Sequence, residues 1–227
     1  MSSDLTGRRI LITSGPTRAD IDAVRYISNR SSGALGCRIA QEALARGAAV
    51  ALVAGAGSIV PERRELTEEE ARRLRVLTVE TVADVLKTLR AELTGQAPPH
   101  AIVHAMAVLD YVPAETLAEK TPSGREEWSV RLVRAPKVIR SVRDWAPTSC
   151  LVQFKLEVGL SEADLCRAAL DSLRGNRADL VVANDLTQIR GEVHPALILS
   201  PDGAVLARPA TKTAIAHALC DVLAVRL

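Results

Sequence analysis

Apolar residues run along this chain in short unbroken blocks, and between the blocks they recur at helical spacing. Residues 9–13 (RILIT) form the first block, and a run of that length bounded by polar residues predicts a buried strand. After a long polar stretch, Leu35, Ile39, Ala40, Ala43 and Leu44 fall on one face of a helix over about 33–46. Arg38, Gln41, Glu42 and Arg46 face water, and Gly47 stops the helix. A second strand follows at 49–53. VLTV at 76–79 predicts the next, and Thr81 caps a helix carried by Val82, Val85, Leu86, Leu89 and Leu93, which GQAPP at 95–99 breaks.

AIVHAM at 101–106 reads as a further buried strand, WSVRLV at 128–133 alternates as a strand does, and 138–145 reads as a short helix after Pro136. CLVQF at 150–154 is a strand, Ser161 caps a helix to about Gly175, and ADLVVA at 178–183 is a strand. Residues 196–200 and 204–208 pair as a hairpin across PDG, and 210–226 closes the chain as a helix. Apolar strands alternating with helices imply a parallel sheet covered on both faces. The expected architecture is one α/β domain over residues 1–227, doubly wound about a mostly parallel sheet, with a C-terminal hairpin and closing helix. Residues 107–127, with prolines at 113 and 122, predict one long irregular excursion, and such loops in compact domains are usually functional or disordered.

Composition removes several classes of function. With 48% apolar and 25% charged residues the chain has an ordinary core. Its 29 basic and 27 acidic residues are interspersed, so the net charge of +2 exerts no strong pull on nucleic acid or membrane. No tract has the apolar length of a membrane span, and the N-terminus lacks a signal peptide's apolar stretch, so the cytoplasm is expected. Cys37, Cys150, Cys166 and Cys220 lie far apart without a CxxC pair, which suggests buried thiols rather than a zinc or redox site.

Ligands of open α/β sheets bind beyond the carboxyl ends of the strands, near the switch point. Four segments leave such ends: 14–32, 106–127, 154–160 and 184–192. The first begins SGPTR and ends SNRSSG, with Ser32, Gly33 and Gly36 at the start of a helix, where unpaired N–H groups favour an anion. Asn29 in it is either a ligand group or a turn residue. In the second, Ala105 and Ala107 leave room for something flat, Asp110 can hold a ribose hydroxyl or a metal-bound phosphate, and Lys120 can balance phosphate charge or simply be a surface lysine. His104 lies within the strand, where a histidine is more often a satisfied core residue than a ligand. Phe154 either stacks on a base or belongs to the core, with Lys155 beside it; Asn184 and Asp185 either touch ligand or cap a turn. What these segments share is the capacity to hold a negatively charged nucleotide.

Taken in order, ITSGPTRADIDAVRYISNRSSGALG, AMAVLDYVPAE, the lysine ten residues after Asp110, QFKLE and ADLVVANDLTQI closely resemble phosphopantothenoylcysteine synthetase, a ligase of coenzyme A biosynthesis, in its free-standing form. The resemblance implies a Rossmann-like homodimeric enzyme that uses phosphopantothenate, L-cysteine, CTP (or ATP) and Mg2+. It assigns catalysis to Asn29 and Lys120, and substrate binding to Gly15, Arg25, Asn29, Ser32 and Gly33. It assigns the nucleotide to His104, Ala105, Met106, Ala107, Asp110, Lys120, Pro136, Phe154, Lys155, Arg174 and Asn184, with Asp110 also towards the metal. Three departures set it apart from the fused enzymes of the family: Thr121, Pro122 and Ser123 replace a lysine-rich run, Lys137 stands where an acidic residue is usual, and Leu170 where a lysine is common. Two other readings use the same architecture. A short-chain oxidoreductase would need a Tyr-x-x-x-Lys pair, but Tyr26 and Tyr111 are followed four positions on by Arg30 and Glu115. A drifted relative would act on another acid and amine.

Overall fold

A computed structural model describes residues 4–124 and 126–227. In chain order its elements are β1 (Arg9–Ser14), β2 (Arg18–Asp20), β3 (Tyr26–Ser28), α1 (Ala34–Ala45), β4 (Ala49–Gly55), α2 (Glu68–Arg73), β5 (Leu74–Val79), α3 (Val82–Leu93), β6 (Ala101–His104), β7 (Tyr111–Pro113), β8 (Leu132–Arg134), α4 (Val138–Trp145), β9 (Cys150–Glu157), α5 (Glu162–Asn176), β10 (Leu180–Asp185), β11 (Leu197–Leu199), β12 (Val205–Ala207) and α6 (Lys212–Arg226).

Eight strands form the main sheet in the order β12-β11-β10-β9-β6-β1-β4-β5. From β5 to β10 every pairing is parallel, and β10, β11 and β12 pair antiparallel. The fold is therefore Rossmann-like, with the expected terminal hairpin and closing helix. The chain winds from β1 outward through β4 and β5, then returns to β6 and winds the other way through β9 and β10. The winding reverses between β1 and β6, and their carboxyl ends open a crevice there.

One face of the sheet packs under α1 and α6. Ile39, Ala40, Ala43 and Leu44 recur at helical spacing on α1 and meet Ile215, Leu219 and Leu223 of α6 with Ile10, Ile12 and Val50 of the sheet. Gly47 ends α1 at φ 94, a left-handed position that glycine enters without a Cβ penalty. The other face packs under α3, α4 and α5 through Val85, Leu89, Val142, Ala169 and Leu173. Cys37 and Cys220 are buried as expected, whereas Cys150 and Cys166 are half-buried, and all four are free thiols. No helix among the described residues is long and apolar enough to cross a membrane.

Local periodicity misreads several stretches. The alternation at 128–133 yields only Leu132–Arg134, which pairs with Tyr111–Pro113 in a separate ribbon and not with the main sheet. The alternation here marks no covered side, since all three residues of β8 are exposed. The 107–127 excursion is thus one arm of a hairpin, and the polar loop after β1 also contains a ribbon, β2 with β3. Helix α2 escapes the apolar pattern because it has no buried residue, and its signal is the Thr67–Glu70 capping box. β9 runs on to Glu157, so Phe154 lies inside a strand and not at its end; β10 likewise extends to include Asn184 and Asp185, while β6 stops at His104.

Candidate functional site

The crevice is built by stitching two loops side by side. After β1 the chain turns at Gly15, whose φ of 77 and a Cβ that would lie 1.7 Å from Ser58 Oγ admit glycine alone. Ala107 N donates to Gly15 O at 2.8 Å, Thr17 N to Ala107 O at 3.2 Å, and Leu109 N to Thr17 Oγ1 at 2.9 Å. The loops after β1 and β6 thereby form one wall. Asn29 joins it: its Nδ2 donates to Ala107 O at 3.1 Å and to Val108 O at 3.2 Å, which leaves its carbonyl oxygen outward.

Below this wall, Met106 N donates to Thr13 Oγ1 at 3.2 Å, and that hydroxyl is 2.9 Å from His104 Nδ1. The Thr13 hydroxyl thus joins the Met106 N–H to the imidazole in one buried chain of hydrogen bonds. Burial pushes His104 down to about 4, so at neutral pH the ring is an uncharged donor.

The amino end of α1 forms the floor. Ser14 Oγ donates to Gly33 O at 2.9 Å, Ser32 Oγ lies 3.4 Å from Ala34 N, and Gly33 takes a φ of 77. Ser58 Oγ is buried here without a partner. Free helix N–H groups beside an orphaned hydroxyl can take an anionic group.

Asp110 stands at the rim, and its Oδ1 accepts from Lys137 Nζ at 2.5 Å. Pro136 is brought alongside because Ala135 N donates to Asp110 O at 2.8 Å. No group of three or more His, Cys, Asp or Glu side chains able to hold a metal occurs among the described residues. Asp110, already paired with an ammonium, does not fit a resident metal site.

Lys120 is exposed on the connection between β7 and β8. Its neighbour Thr121 is held from below: Thr121 N donates to Asp22 Oδ2 at 3.0 Å and Arg25 Nη2 donates to Thr121 O at 2.7 Å. Arg25, expected to touch substrate, is committed to Asp22 and lies 4.4 Å over the Trp128 ring. Desolvation alone would raise the Asp22 carboxyl, but the Thr121 N–H and the Arg25 guanidinium outweigh it and hold the group far below the usual carboxylate range.

On the other side of β6, Gln153 of β9 is level with His104, so Phe154 is one step beyond; it packs partly against the α1 and α6 core. Lys155 pairs with Glu157 at 2.8 Å. Asn184, 5% exposed, makes no side-chain hydrogen bond among the described residues, which leaves its amide for a ligand. Asp185 instead caps the following turn: it accepts from Thr187 N and Oγ1 and from the N–H groups of Gly159 and Leu160. Those bonds, the Thr187 hydroxyl first, hold it down to about 2.

Arg174 is not brought to this crevice. It lies exposed in the last turn of α5, which runs antiparallel to the strands and delivers its carboxyl end to the start of β10, at the far end of the sheet. An order of motifs along the chain does not tell which end of a helix faces the site. A cavity of about 390 Å³ also lies at that amino-terminal end, and three of the arginines that line it are engaged: Arg75 with Glu92, Arg73 with the carbonyls of Leu44 and Ala48, and Arg9 with the carbonyl of Pro98.

Sequence reasoning missed Asp22 and Ser58. The adjacency of Asp22 to VRYISN within a quoted motif could have drawn attention to the first; no local signal marks the second.

Residues 5–226 match the family model of the DNA/pantothenate metabolism flavoprotein C-terminal domain. The chain is 36% identical over 217 residues, 96% of its length, to the coenzyme A biosynthesis bifunctional protein CoaBC of Thermococcus kodakarensis, of which it covers 51%. It therefore spans about half the length of that relative. A crystal structure of the DNA/pantothenate metabolism flavoprotein from Streptococcus pneumoniae superposes with a TM-score of 0.86 at 30% identity, covering 97% of this chain and all of that one. The C-terminal domain of a CoaBC protein superposes at 0.77 with 25% identity, covering 100% of this chain and 98% of that chain.

Proposed function

This chain belongs to the family of the DNA/pantothenate metabolism flavoprotein C-terminal domain, and from that membership we propose that it joins 4'-phosphopantothenate to L-cysteine through an acyl nucleotide made from CTP. In this reading a carboxylate oxygen of phosphopantothenate attacks the α-phosphorus of CTP and pyrophosphate leaves. The amine nitrogen of cysteine then attacks the acyl carbon and CMP leaves. Neither step requires a protein nucleophile; both require alignment of anions and charge neutralisation.

The observation that carries the reading is the joined wall of residues 15–17 and 105–109 at the winding reversal, with Asn29 bonded across it. The α1 floor takes an anionic group of the substrate. The neutral His104 and the small Ala105 and Ala107 line the nucleotide, Lys137 beside Asp110 offsets triphosphate charge, and the amide of Asn184 reads the base or ribose. Lys120 serves the passage from acyl nucleotide to product. Magnesium enters with the nucleotide. The active form is a homodimer: β2 lies against β7, and the two ribbons expose Tyr26 and Tyr111, each more than half accessible, with Leu132 and Val133 as apolar surface for a second copy.

The test is pyrophosphate release by the purified protein with phosphopantothenate, cysteine and magnesium, run in parallel with CTP and with ATP. Release that depends on both phosphopantothenate and CTP is expected. A greater rate with ATP would correct the nucleotide, and no release above background with either would defeat the ligase.

A further inference from the structure

Asp22 lies in the turn between β2 and β3, its carboxylate has no solvent exposure, and it accepts five N–H donors. Val24 N and Arg25 N reach Oδ1, both at 2.9 Å, while Arg25 Nε at 3.0 Å, Arg25 Nη2 at 2.6 Å and Thr121 N at 3.0 Å reach Oδ2. Four donors come from its own turn and would be satisfied without any other part of the chain. The fifth crosses to the long connection between the arms of the β7–β8 ribbon.

That crossing is reinforced on both sides. Arg25 Nη2 returns a bond to Thr121 O, so both backbone polar groups of Thr121 are held by one ion pair. Upstream, Leu117 N donates to Ile21 O at 3.0 Å and Thr116 Oγ1 to Asp20 O at 3.0 Å; downstream, Trp128 lies under the Arg25 guanidinium. The connection between β7 and β8 is thus clamped along one turn, and the residue beside the clamped peptide is Lys120. The Lys120 side chain has no partner among the described residues.

We propose that Asp22 is a positioning residue for Lys120, restricting where its ammonium can reach by holding the adjoining Thr121 peptide. This rests on the ligase reading above only for what Lys120 does there. A charged acceptor matters because a buried carboxylate binds N–H groups more strongly than a neutral oxygen does, and because an exposed lysine on a free connection samples many positions. Asp22 touches no reacting atom, so its loss acts on one step and not on binding.

Asp22→Asn tests this. Without cysteine, the variant is expected to form the acyl nucleotide within about twofold of the wild-type rate; with cysteine, conversion of that intermediate slows tenfold or more, with the KM for CTP unchanged. The Asp22→Asn, Lys120→Gln double variant is expected to be no slower than Lys120→Gln alone, since residues acting as a unit are not additive. Amide exchange at Thr121 and its neighbours, slow in the wild type, is expected to accelerate in Asp22→Asn. An unchanged cysteine step, an additive double variant or unaltered exchange would each overturn the proposal. If Asp22→Asn does not fold, Thr121→Pro, which removes only the N–H that crosses to Asp22, carries the same kinetic readouts together with exchange at the neighbouring amides. A wild type that makes no acyl nucleotide defeats the ligase reading instead, and the exchange measurement, which needs no turnover, then decides the clamp.

Discussion

Asn29 is structural in this fold, and the proposed ligase adds a chemical role to the same side chain. Its amide nitrogen spans Ala107 O and Val108 O, which leaves the carbonyl oxygen without a side-chain bond among the described residues. Asn29→Asp replaces that donor with a second negative group facing two carbonyl oxygens and an anionic substrate. Formation of the acyl nucleotide is expected to fall by at least about tenfold, roughly the effect of one uncompensated charge contact of 1.4 kcal/mol. Rapid-quench measurement of the intermediate checks it, and equal amounts in both proteins would remove Asn29 from the first step. Asp110 and Lys137 make the complementary point. The family pattern suggests an acidic partner where Lys137 stands, and the lysine closes on Asp110 directly, so the rim carries its own cation in place of a second carboxylate.

At the scale of elements, α1 is held unusually close to β1. A Cβ on Gly36 would lie 2.2 Å from Ser14 Oγ and 2.5 Å from Ser14 Cβ, so the helix start can sit on the strand end only while position 36 is glycine. Gly36→Ala has a favourable helix propensity, which sequence alone would score as stabilising. The overpacking outweighs it, and a net loss of about 1–3 kcal/mol is expected in urea denaturation. A variant as stable as wild type would show that the helix can shift without cost. The helices and buried strands were legible from periodicity because each buries its own regular face, as Ile39, Ala43 and Leu44 do on α1. Of the ribbons β2–β3 and β7–β8 only part of β8 was expected, and not its pairing, because Tyr26, Leu132 and Val133 are exposed and no inward face leaves a pattern. The capping box at Thr67 was written in the sequence, yet α2 without a buried face gave the apolar pattern nothing to find.

For the molecule as a whole, two buried imidazoles set the acid limb of stability. Burial pushes His104 and His194 each down to about 4, and neither ring nitrogen of His194 has a partner. An unfolded histidine titrates near ~6.5, so between these values the unfolded chain binds protons that the folded chain refuses. Their contribution is complete above about pH 6.5 and is lost as pH falls towards 4. The depressed carboxyls of Asp22 and Asp185 act only lower, below the ordinary aspartate value of 3.8. Melting temperature should therefore fall from pH 7 to pH 4.5, and His194→Leu should make that fall shallower; parallel curves for the two proteins would exclude His194 as a source.

Taken by itself, the sequence determined the helices and strands that bury a regular apolar face in the main sheet and its cover, that the sheet is mostly parallel, and which family motifs stand in order along the chain. Those are local matters: a face buried every second or every third to fourth residue, a cap, a glycine where the chain must turn. Tertiary structure alone decided the winding reversal between β1 and β6, the exile of Arg174 to the far end of α5, and the closing of Asp22 on Thr121 across 99 positions. Each depends on which surfaces meet once the whole sheet is assembled, and a contact between distant segments leaves no periodic trace in either of them.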